Sequence, residues 1–168
     1  RPARIGWVGG SAGPLPTPAY LEALRTGLRE RGWIEGRNLV IDVRWGDRDS
    51  AAALTSELIS LRPDVLVTQG AMVLGARDVN TSVPMVFGFS GDPVEARLIA
   101  SLARPGGRLT GIAMQSPELV GKRLEVLKEI MPRLARVAIL ANPAHPGEQT
   151  ELRESRAAAD RLGISVLY

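Results

Sequence analysis

The chain has 168 residues, 45% hydrophobic and 23% charged, with a net charge of +3, which suits one domain or two small lobes and excludes disorder by composition. Its basic residues are almost all Arg and lie scattered among acids, which argues against nucleic acid as a partner. It has no Cys and a single His, which excludes disulfides, thiol chemistry and Cys/His metal clusters.

The chain opens at Arg1-Pro2-Ala3 just ahead of an apolar run, and reads as a mature or trimmed start. Residues 5–8 predict a buried strand, and residues 18–31 a helix with Tyr20, Leu21, Leu24 and Leu28 on one face. A strand over 39–45 and a helix over 50–61 follow, then a strand over 65–68 and a helix over 72–80. Next come a strand over 85–89, a short helix over 94–102 and a strand over 110–113. Strands alternating with helices mean a parallel sheet with helices on both faces. The strands are nearly continuous in apolar residues, as strands covered on both sides are.

The pattern then restarts. Residues 117–131 form a strong helical pattern through Leu119, Val120, Leu124, Leu127, Ile130 and Met131. A strand over 137–140, a helix over 148–162 and a strand over 164–167 complete the chain. A two-stranded parallel unit cannot bury both of its faces. More chain after Tyr168, or a second copy forming a homodimer, is expected to complete it. The fold class is therefore α/β: a doubly wound parallel sheet over 1–113, then a hinge and the first part of a similar lobe over 114–168.

Thr17-Pro18, Asp92-Pro93, Ser116-Pro117 and His145-Pro146 each put a capping residue before a Pro suited to the first helical turn. Asp92 with Glu95 also fits a capping box. Ligands of open parallel sheets sit beyond the carboxyl ends of the strands. The loops there are 9–13, 69–71 and 90–92, built of Gly and small polar residues, and the second unit offers 141–143. Each also has a plain structural reading. Loop 9–13 serves as a turn, Asp92 as a cap, and Asn142 before Pro143 as a turn. Trp7, Trp33 and Trp45 read as packing residues, and His145 as a cap or an exposed loop residue. No G-x-S-x-G, Walker or dinucleotide motif occurs, so no catalytic residue, cofactor or metal is expected.

Three runs carry a resemblance: Phe89-Ser90-Gly91-Asp92-Pro93-Val94, the stretch from Leu98 to Gly107, and Leu109-Thr110-Gly111. They closely resemble the ABC-transporter substrate-binding proteins, the family that includes tryptophan- and tyrosine-type binders. Gly36-Arg37-Asn38-Leu39 with Arg44-Trp45, Lys122 to Glu129, and Val137 to Pro143 look like further stretches of it. The resemblance implies a periplasmic-binding-protein-like type I fold with two Rossmann-like lobes and a hinge near 113–116. It implies an exported protein, periplasmic or anchored as a lipoprotein. It also implies a small solute, an amino acid or small carboxylate, passed to the permease and ATPase of an importer. Carried over loop by loop, the ligand-binding residues are Ser11, Gln69, Gly70, Ala71, Ser90, Asp92 and Asn142. The first loop departs from the aromatic amino-acid binders at Pro14, Pro16 and Pro18. A ligand-sensing effector lobe of a transcription regulator shares the fold and is the alternative reading.

Overall fold

Side-chain alternation along the central strand sets the layering. In β1 (Ala3–Gly10) Ile5 and Trp7 face one side, and Gly6 and Val8 the other. This computed structural model describes residues 1–10, 19–114, 118–142, 145 and 147–168. β1 pairs in parallel with β2 (Leu39–Gly46) and with β3 (Val65–Gln69). β3 pairs with β4 (Met85–Phe89), and β4 with β5 (Leu109–Ala113), again in parallel. The strand order is β2-β1-β3-β4-β5, so it reverses at β1. An open α/β sheet offers its crevice at such a switch point.

On one face, α1 (Ala19–Glu30) buries Leu21 with Leu24 and Leu28 against Trp7, Leu39 and Ile41. On the other, α2 (Ala51–Ser60) and α3 (Met72–Arg77) set Leu58, Met72 and Val73 on Val8, Leu66, Met85 and Phe87. Burying each of these large side chains stabilises the fold by about 2 kcal/mol.

The short helix expected over 94–102 does not form. A single turn stands in its place, closed by Ala96 N–H on the Asp92 carbonyl and Leu98 N–H on the Pro93 carbonyl. Arg97 then takes a left-handed backbone, φ 55°, which stops the helix. The Arg77 guanidinium donates to the Ala96 carbonyl at 2.5 Å, a group that a longer helix would have used. The turn delivers Leu98 and Ile99 onto the α2–α3 face of the sheet. Cover of the sheet is also less complete than expected. Met85, Phe87 and Phe89 are buried, but Val86 is exposed and Ile112 of β5 is 76% exposed. Among the described residues, nothing covers the outer face of β4 and β5.

A separate two-stranded parallel sheet follows. It pairs β6 (Arg136–Ala138) with β7 (Ser165–Leu167), flanked by α4 (Glu118–Ile130) and α5 (Glu148–Leu162). Leu124 of α4 packs on Ala158 and Ala159 of α5 and on Ile164. The alanine pair lets the two helices approach closely. α5 ends in a Schellman turn. Gly163 takes φ 64°, its N–H reaches the Asp160 carbonyl, and Ile164 N–H reaches the Ala159 carbonyl.

Candidate functional site

Hydrophobic runs end where strands end, so the strand-end loops stand side by side at one edge of the sheet. Gln69 closes β3, and Gly70 turns the chain into α3 with φ 57°. A Cβ at Gly70 would meet nothing within 4 Å, so open space lies above this backbone. Its N–H is held by the Gly88 carbonyl at 2.8 Å. The Gln69 side chain, half-buried, has no hydrogen-bond partner among the described residues. Ala71 takes the helix N-cap position of α3 without a side-chain cap. Ser11 lies outside the described residues.

The loop after β4 is more constrained. The Asp92 carboxylate accepts from Val94 N–H at 2.7 Å and Glu95 N–H at 3.0 Å, which makes it a turn cap. Glu95 does not close the capping box. Its carboxylate reaches α5 instead, accepting from the Thr150 hydroxyl at 3.0 Å and pairing with Arg153 at 3.4 Å. Ser90 Oγ lies 2.9 Å from His145 Nε2. His145 Nδ1 accepts the Gly147 N–H at 3.3 Å, so the imidazole proton sits on Nε2 and is donated to Ser90. Of the two readings of His145, the cap holds, through its Nδ1 on Gly147 N–H, and the exposed loop residue is corrected: the side chain is half-buried and bonded across to Ser90 in the loop after β4.

Asn142 starts the turn whose carbonyl accepts His145 N–H at 2.8 Å, and its side chain is exposed. Asn142 and His145 line a cavity of about 510 Å³ at the carboxyl edge of β6 and β7. Arg123, Leu124 and Leu127 of α4 form one wall, and Glu148 of α5 another. Glu148 is buried and accepts from Gln149 and from the Tyr168 hydroxyl. That hydrogen bond to the Glu148 carboxylate, with desolvation beside it, pushes the Tyr168 pKa up to about 12 and keeps the donor protonated. The arrangement joins a cation, buried acid, amide and imidazole to leucines, and suits a small polar molecule with charged ends.

Sequence reasoning missed three buried polar groups. Glu148 carries no signal in the sequence beyond its place in a helix. Trp7 Nε1, in the middle of β1, and Thr68 Oγ1, one residue before the end of β3, are buried without a partner among the described residues. Ser90, Asn142 and His145 lie together, whereas Gln69, Gly70 and Ala71 stand at the end of β3. Among the described residues no group of acids and His could hold a metal ion, and no helix is long and apolar enough to cross a membrane.

The parallel five-stranded sheet, its switch point and the second α/β unit define the periplasmic-binding-protein-like class of fold. The family described as ABC transporter substrate binding protein matches residues 18–168. The chain therefore belongs to that family. A tyrosine-binding protein of Clostridioides difficile strain R20291 is 23% identical over 128 residues, covering 74% of this chain and 36% of that protein. A conserved domain protein of Vibrio cholerae O1 superposes with TM-score 0.82 at 26% identity, over 99% of this chain and 56% of that one. The ABC domain of a Streptococcus pneumonia protein in complex with L-Trp superposes with TM-score 0.81 at 23% identity, over 99% of this chain and 56% of that one. The chain thus spans about a third of its curated relative and just over half of these solved structures.

Proposed function

We propose that the protein captures a small solute, an amino acid or small carboxylate, for an ABC importer. Residues 1–113 act as one wall of an interlobe cleft, and residues 114–168 begin the other. The observation that carries this reading is the meeting of strand-end loops from both sheets, Ser90 with His145, beside the cavity lined by Asn142. Loops of this kind, facing each other, close on a solute by hinge motion. Gln69, Gly70, Ala71, Ser90 and Asn142 are the contacting set, with Ser11 completing it. Asp92 serves chiefly as the turn cap. The protein works outside the cytoplasm, delivering solute to a permease and its ATPase.

Two relatives bear names that mention tyrosine and tryptophan, so L-tyrosine and L-tryptophan come first among the solutes to test. Thermal melts of the protein across amino acids and small carboxylates give the test. A solute at ~100 times its Kd stabilises by about 2.7 kcal/mol and raises Tm by several degrees. No shift with any member of either class would sink the proposal.

A further inference from the structure

Where the loop after β4 meets the start of α5, two backbones touch. Gly91 and Gly147 are both buried. A Cβ on Gly147 would lie 3.2 Å from the Ser90 carbonyl oxygen and 3.5 Å from Gly91 Cα. Gly147 has φ −94° and ψ 1°, a backbone that any residue adopts. Its missing side chain therefore makes room for the loop after β4 and for the His145 ring, whose Cε1 would lie 3.3 Å from the Cβ, rather than for its own conformation.

Polar tethers surround this contact. Ser90 and His145 join at 2.9 Å. Glu95 holds Thr150 at 3.0 Å and Arg153 at 3.4 Å. Asp92 already caps the local turn through Val94 and Glu95 N–H, which leaves the Glu95 carboxylate free to cross. Glu95 and Arg153 are both exposed, and an exposed pair of this kind is weak by itself. An exposed ion pair beside a tight backbone contact suits two bodies that must rotate, since that pair breaks at little cost.

We propose that this junction is a pivot with a polar clasp, setting the angle between the two units and so the open–closed equilibrium of the cleft. Gly91 and Gly147 form the bearing. Glu95, with Thr150 and Arg153, forms the clasp, and Ser90 with His145 ties the loop ends. Glu95 and Gly147 are positioning residues: they act on solute affinity through the angle of the walls. The consequence for affinity rests on the solute-cleft reading above, whereas the angle is measurable with no solute present.

The chain has no Cys, so labels go only where they are placed. Nitroxides on Ala52→Cys in α2 and Ala157→Cys in α5, both exposed, report the distance between the units by double electron–electron resonance. One narrow distribution is expected with the native junction. Gly147→Ala drives a methyl against the Ser90 carbonyl and shifts the mean distance. Glu95→Ala broadens the distribution, with an open population raised about threefold. Glu95 is exposed, so its variant tests the clasp even where Gly147→Ala fails to fold, as read by circular dichroism. Unchanged distributions in both folded variants overturn the proposal. L-Tryptophan titrations then separate the two ideas. Weakened binding in both variants supports pivot and cleft together. Shifted distributions with no binding to any amino acid or small carboxylate leave the pivot standing and overturn the cleft.

Discussion

Thr68 carries a buried hydroxyl with no partner among the described residues, one position before the end of β3. An unpaired hydroxyl in an apolar layer costs about 1 kcal/mol or more. Thr68→Val keeps the shape and removes the cost. Urea unfolding should show a higher midpoint, by about 1 kcal/mol, with an unchanged slope. A lower midpoint would mean that the hydroxyl has a partner after all. At this scale the sequence was partly legible. The end of β3 at Gln69 was legible because periodicity fixes where a strand stops. The capping half of Asp92 was legible from its spacing to the following residues. His145 was not, because its partner Ser90 lies 55 positions away and nothing local points to it. Glu148 was hidden for the same reason: its burial depends on Tyr168, brought alongside only when β7 forms.

The elements were more legible than the residues, and the exception is instructive. Residues 94–102 have helix-forming composition and a good start. Yet the Ala96 carbonyl goes to Arg77, and Leu98 and Ile99 are drawn into the core. Tertiary contacts outweigh propensity over so short a segment. Glycine spacing carried more than it first showed. Gly111 sits in the run that marks the family, and a Cβ there would lie 2.1 Å from the Phe87 carbonyl oxygen. Gly163 instead has open space around it and a left-handed backbone, φ 64°. The two glycines thus test different physics. Gly163→Ala should cost about 1 kcal/mol, the strain of that backbone alone. Gly111→Ala must push β5 off β4 and should cost about 3 kcal/mol, since the clash is with backbone. Chemical denaturation of both variants checks the order. Equal costs would show that β4 and β5 yield easily.

The two sheets bury very different cores. The five-stranded sheet has a large cluster on the α2–α3 face and a second under α1. The two-stranded sheet rests on Leu124, Ala158, Ala159 and Ile164, and two of these four are alanines. Small cores are marginal, because little apolar surface is buried per residue ordered. A second sheet late in the chain was legible from the restart of the strand and helix pattern; its contact with the first was not, since Glu95 looked like a capping-box residue. The unequal cores make a measurable difference. Trp7, Trp33 and Trp45 all precede Gly46, so fluorescence reads the five-stranded unit alone. α4 and α5, with 13 and 15 residues, supply as much helix as α1, α2 and α3 with 12, 10 and 6. Far-UV circular dichroism therefore reads both units. In urea the dichroism should begin to fall before the fluorescence changes, as α4 and α5 melt first. Gly147→Ala should lower that first transition and leave the fluorescence transition in place. Coincident curves in the native chain would show instead that the junction binds the two units into one cooperative body.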